Sequence, residues 1–107
     1  MLPNDAWVVR GGRNLPEDVE RGFGVHPSGA AGISVESAPG LTPAALSEGI
    51  PHSRVGITTV GMIRETGGDV IRTSGRSPNH ATLVGLTPEQ ISKLLTPISP
   101  NPSRAQE

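Results

Sequence analysis

The chain has no cysteine and no tyrosine, one tryptophan, one phenylalanine and no long apolar run. Without cysteine there is no disulfide staple, no thiolate nucleophile and no cysteine-based zinc site. His26, His52 and His80 stand far apart and outside any HExxH-type spacing, so no metal is expected. Trp7 and Phe23 alone make no stacking platform for single-stranded nucleic acid. Lys plus Arg number 9 against 10 Asp plus Glu, a net charge of -1 without a basic run, so neither nucleic acid nor an anionic membrane is an expected partner. No stretch approaches the ~18 apolar residues of a membrane span. The first nine residues, MLPNDAWVV, lack the basic-then-apolar order of a signal peptide, and the expected compartment is cytoplasmic.

What is present is 14 Gly and 11 Pro among 107 residues, which restricts periodicity to short pieces, and 34% hydrophobic residues, enough for one thin core. The expected organisation is a single α+β domain over residues 1–96. A Pro-rich tail over 97–107 follows, mobile or laid extended on the body. A thin core also leaves stabilisation by association open, a homo-oligomer included.

β-prone residues 6–10 (AWVVR) stop at Gly11-Gly12 and predict a first strand. The Gly- and charge-rich stretch after it reads as a long loop, with one helical turn at 16–21 where Pro16 leads. In residues 32–37 Ile33 and Val35 alternate with Ser34 and Glu36, the pattern of a strand with one buried face. Thr42 as N-cap and Pro43 after it predict a helix to Glu48. A third strand is expected at 53–59. Thr59 then caps a helix that ends at Gly67-Gly68, and DVIRTS supplies a fourth strand. Residues 80–85 give a fifth, and Thr87, Pro88 and Gln90 open the clearest helix, whose Ile91, Leu94 and Leu95 share a face. The sum is a small mixed or antiparallel sheet of about five short strands with two or three short helices.

Three features carry chemistry. Arg10 ends an apolar strand before Gly11-Gly12, and a guanidinium so placed either points into water or forks onto a phosphate or carboxylate. Ser34 and Glu36 share one side of a strand, as a polar solvent face or as a hydroxyl orienting an acid in a cleft. His80 opens a strand after a Pro-Asn turn, as a loop hydrogen-bonder or as a group reaching a sugar hydroxyl. His26 and His52, in Pro-flanked loops, read as solvated, and Thr58 and Thr59 as a strand-end hydroxyl and a helix cap. GxGxxG after a strand, GxxxxGK[ST] and GxSxG are all absent.

Taken in order, WVVRGG (7–12), GISV (32–35) and HATLVG (80–85) resemble a family of small bacterial toxins, a type VI secretion effector among them, with an ADP-ribosyltransferase-like fold of diphtheria-toxin type. The resemblance matches Arg10, Ser34 and His80 to that family's Arg, Ser and His. It implies NAD as substrate, held by Arg10, Gly11, Ser34 and His80, with Ser34, Glu36 and His80 as catalytic residues. The chain departs from the pattern: Ala81 stands where Tyr often follows the His, no Phe follows Ser34-Val35, and no late strand carries a Glu, so Glu36 or Glu89 is the nearest acid.

The expected function is therefore a toxin-like ADP-ribosyltransferase or NAD glycohydrolase of a bacterial toxin-antitoxin or effector system, partnered by a cognate antitoxin or immunity protein. The alternative is a non-catalytic protein-binding module of a bacterial defence or regulatory complex, whose Pro-rich tail docks on a partner.

Overall fold

A computed structural model describes residues 2–25, 31–73, 75 and 77–104. His26, Ser28 and Arg76 lie outside the described residues. In chain order the elements are β1 (Trp7–Gly11), α1 (Pro16–Gly22), β2 (Gly24–Val25), β3 (Ala31–Ser37), α2 (Pro43–Ser47), β4 (Arg54–Thr59), α3 (Val60–Thr66), β5 (Asp69–Arg72), β6 (His80–Val84), α4 (Pro88–Leu95) and β7 (Ser99–Pro100), then a 3-10 turn, Pro102–Arg104. The fold is α+β, and every strand pairing among the described residues is antiparallel. The sheet order is β5-β6-β3-β1-β4-β7, with β2 beside β3.

Seven strands among the described residues exceed the five that periodicity suggests, and four helices the two or three counted there, the turn expected at 16–21 being a helix in its own right. The extra strands, β2 and β7, have two residues each, too few to show an alternation. Pro100 in β7 is tolerated because that strand is the last of its edge. The helical turn expected at 16–21 is α1, which has no side-chain N-cap and relies on Pro16 at its start and on Asp18, whose carboxylate accepts the Leu15 N–H at 3.3 Å.

The other helices start where hydroxyls stop them from fraying. Thr42 Oγ1 accepts from the Ala45 N–H, Thr59 Oγ1 from Met62 and Thr87 Oγ1 from Gln90, whose side chain returns a bond to the Thr87 N–H. Helix α3 ends at Gly67, whose φ of 108 is the left-handed conformation glycine adopts without strain.

Residues paired directly across strands share a face, so the register sorts the sheet into two sides. On one, Val8, Ile33, Val35, Val70, Ala81 and Leu83 form the main core with Val19 of α1, Ile63 of α3 and Ile91 and Leu95 of α4. On the other, Val9 and Val55 pack with Leu46 and Ile50 of α2 and the loop after it. No helix among those described covers β5 and β6 on this second side. The side chains there include the polar Ser34 and Glu36 of β3, His80 and Thr82 of β6, and Thr73 just beyond β5, with Ile71 and Val84 beside them. No helix among the described residues is long and apolar enough to cross a membrane.

Leu83 is fully buried in the main core, and Leu83→Ala lowers the free energy of unfolding by about 2–5 kcal/mol in urea titrations. Gly32→Ala does at least as much damage, because a Cβ at Gly32 falls 1.9 Å from the main-chain oxygen of Leu83 and main chain has no rotamer with which to yield. Met62→Ala, on an exposed helix face, stays within about 0.5 kcal/mol of the parent.

Candidate functional site

One edge of β3 pairs with β6 along residues 32–36. Its other edge meets β1 only at Val8↔Ser37 and Val9↔Glu36, and β2 only at Gly24↔Gly32 and Val25↔Ala31. Residues 33–35 have no strand partner there among the described residues. The Ser37 N–H points the opposite way, to Asn79 O at 2.9 Å beside β6, and main-chain groups alternate in direction along a strand. The N–H and C=O of Ser34 therefore face the open edge. Opposite them β1 turns away through Gly11 and Gly12, where Gly12 has φ 100 and gives its N–H to Arg54 O at 2.9 Å.

The parting of β1 from β3 opens a cavity of about 450 Å³. Arg10, Gly11, Ser34, Glu36 and His80 all line it, with Val9, Val35, residues 49–52 of the loop after α2, Gly75 and Ser77. Ser34, Glu36 and His80 share one face of the sheet, Glu36 lying directly across the ladder from His80. The His80 ring is bonded at both nitrogens: Nε2 lies 3.0 Å from Ser34 Oγ and Nδ1 lies 2.8 Å from Thr73 Oγ1. Thr73 Oγ1 is in turn 2.9 Å from Thr82 Oγ1, and both threonines are buried. Gly11 must be small. A Cβ there would sit 2.5 Å from His52 Nδ1 and 2.6 Å from Ile50, filling the cavity wall.

Arg10 is differently employed from the open, Gly-facing head that its sequence position suggests. Its cross-strand partner is Gly56, whose missing Cβ faces Leu95 and Asn14 on the α4 side, so the Arg10 side chain leaves β1 on the face opposite Ser34 and His80. Arg10 Nη1 donates to Asn14 Oδ1 at 2.8 Å, and a Cβ at Gly22 would meet Arg10 Nη2 at 2.5 Å. Asn14 is fully buried, adopts a φ of 56 that Asn tolerates better than most residues, and returns Nδ2 to Arg10 O at 3.0 Å. The guanidinium thus ties the end of β1 to the entry of α1. Burial lowers its pKa, a shift that nearby Asp18 opposes, and it stays charged at neutral pH.

The remaining sequence candidates lie elsewhere. Glu89 is exposed on α4, and it does not line the cavity. Trp7 and Phe23 are 40% and 37% exposed, and neither ring contributes to the cavity, whose apolar wall is Val9, Ile50 and Pro51. No group of three or more His, Asp or Glu among the described residues is placed to hold a metal.

Three residues that the sequence does not mark as functional shape the site. Thr73 supports His80. His52 is exposed in its loop, as the sequence suggests, and also lines the cavity. Asn101, in the Pro-rich tail, is 1% exposed and donates Nδ2 to His52 O at 2.9 Å and Ile50 O at 3.3 Å, strapping the cavity-wall loop. Only Thr73 had a legible signal: alternation from Ile71 places it on the face of Thr82 and His80. Comparison of the chain with family models, with curated proteins and with solved structures finds no match.

Because the Arg10 guanidinium supports a buried Asn, Arg10→Ala and Asn14→Ala each destabilise the fold by about 1–3 kcal/mol in thermal or urea unfolding, whether or not a ligand is present. The acid limb has a defined sign. Desolvation raises the Asp18 carboxyl, but the Arg13 hydrogen bond and charge, the Leu15 N–H and Arg21 outweigh it and hold the pKa below the ordinary value. A depressed carboxylate stabilises fully above its unfolded pKa, about 3.9, and loses that contribution as pH falls through the folded value. Asp18→Asn therefore lowers stability at pH 7 and flattens the loss of stability below about pH 4, measured as the urea midpoint against pH.

Proposed function

We propose that the cavity binds NAD and that the chain breaks its nicotinamide glycosidic bond, delivering ADP-ribose to an acceptor or to water. The observation that carries the reading is the convergence of Gly11, Ser34, Glu36 and His80 on one cavity at an unpaired strand edge. The Ser34 N–H and C=O on that edge are the complement of a primary carboxamide such as that of nicotinamide. Val9, Ile50 and Pro51 offer the ring an apolar wall where no aromatic is available.

The chemistry needs little more. As the C1′–N bond breaks, its electron pair leaves with nicotinamide and positive charge grows on the ribose. A nucleophile then bonds to C1′ and gives up a proton. In this reading the half-buried Glu36 carboxylate stabilises that charge and takes the proton, while Ser34 and His80 engage ribose or phosphate oxygens. Arg10 contributes long-range positive charge and the geometry of the β1 end, not a free fork. In this reading the protein is a toxin of a bacterial toxin-antitoxin or effector system, and a cognate antitoxin or immunity protein covers the cavity.

The attachment of Arg10 to Asn14 and the lack of an aromatic wall favour a second reading, a non-catalytic module that uses the same cavity to bind a partner or nucleotide. Kinetics separate the two. Purified protein incubated with NAD releases nicotinamide, and Glu36→Gln lowers kcat by at least about 100-fold, within the range for removal of an electrostatic stabiliser, while retaining NAD binding. Expression of the parent arrests bacterial growth, and Glu36→Gln relieves it. NAD binding without turnover, in the presence of cell extract as acceptor, selects the second reading.

A further inference from the structure

The hydroxyls behind His80 decide which ring nitrogen carries its proton. Thr82 is 3% exposed, its Oγ1 has Thr73 Oγ1 as its only partner among the described residues, and its methyl is turned toward Gly32. Each hydroxyl has one proton to give. If Thr73 gave its proton to Thr82, the Thr82 proton would be buried without an acceptor, at the full desolvation cost of that group. The satisfied arrangement runs the other way: Thr82 donates to Thr73, and Thr73, its own proton now free, donates to His80 Nδ1 at 2.8 Å. Nδ1 then bears the lone pair and Nε2 the proton. Nε2–H donates to Ser34 Oγ at 3.0 Å, and the Ser34 proton is left to the cavity.

We infer that Thr73 is a positioning residue which, with Thr82, holds His80 as its Nε2–H tautomer, so that His80 and Ser34 present a hydrogen-bond donor to an acceptor oxygen of the ligand. The inference rests on the proposed NAD site for the identity of that ligand, but the tautomer belongs to the free protein. It also divides the labour in the cavity. His80 Nε2 is a donor and not a base, and the proton of an attacking nucleophile goes to Glu36, the neighbour of His80 across the ladder. Ser34, already engaged by a donor, is not activated as a nucleophile. The ligand group seated against Ser34 is a phosphate, carbonyl or hydroxyl oxygen.

The test is a two-bond proton–nitrogen correlation spectrum of the uniformly 15N-labelled full chain at about pH 8, where imidazole is ordinarily neutral, with His80 assigned from His80→Gln. The expected result is a protonated Nε2 and an unprotonated Nδ1 in the parent. Thr73→Val and Thr82→Val each give a mixture of tautomers, and Thr73→Ser restores the single form. A protonated Nδ1 in the parent, or an unchanged tautomer in Thr73→Val or Thr82→Val, overturns the inference. On the ligand side, Thr73→Val weakens NAD binding about five- to tenfold, the worth of one hydrogen bond, and Thr73→Ser recovers it. Unaltered NAD affinity in Thr73→Val, despite a scrambled tautomer, overturns the donor role. If the parent itself does not bind NAD, the functional proposal fails while the tautomer result is read independently.

Discussion

Two residue pairs join β1 to β3, and the rest of the molecule is arranged around the place where that ladder stops. A longer ladder would satisfy the main chain of Ser34 and seal the sheet. Instead β1 bends off through Gly11 and Gly12, and Arg10 fastens the bend by its exchange of hydrogen bonds with Asn14. Gly56 leaves room for Asn14 beneath Arg10, and Gly22 leaves room for the guanidinium itself. The main-chain groups of Ser34 on that edge remain open to water or to whatever enters the cavity, and the proposed function assigns them to the ligand.

The two faces of the sheet divide the main apolar core from the side chains of the cavity. Helices α1, α3 and α4 bury the aliphatic side of β3 and β6, so the chain's modest apolar content is concentrated where it supports the strands that carry the site. On the opposite side, among the described residues, α2 and the loop after it pack on Val9 and Val55 and touch β3, and beside them stand Ser34, Glu36, His80 and Thr82. Alternation in β3 and β6 thus does both jobs at once: each core residue positions a polar neighbour on the other face. The C-terminal segment completes the enclosure, because Asn101 holds the carbonyls of the loop that brings Ile50 and His52 to the cavity.

What could be read from the residues follows from this economy. Strands of four residues or more announce themselves through alternating Ile, Val, Ala and Leu, and helices α2, α3 and α4 through Thr N-caps, two of them followed by Pro. The pairs β2–β3 and β4–β7 could not be read, since two residues carry no period and tertiary contact alone decides them. In the site, the shared face of Ser34 and Glu36 is a local property and was legible. The direction taken by Arg10 was not, because it depends on Gly56, Asn14 and Gly22, which are distant from one another in sequence or look like ordinary loop residues. Alternation from Ile71 gives the face of Thr73, but its bond to Thr82 appears only when β5 and β6 are laid side by side.

The most direct test of the account is an NMR titration of the 15N-labelled chain with NAD, read residue by residue. The account predicts saturable shifts of the amides of Gly11, Ser34, Glu36, His52 and His80, the walls of the gap between β1 and β3, with the helix-side core unmoved. Saturable shifts clustered away from that gap, or none at millimolar NAD, would contradict it.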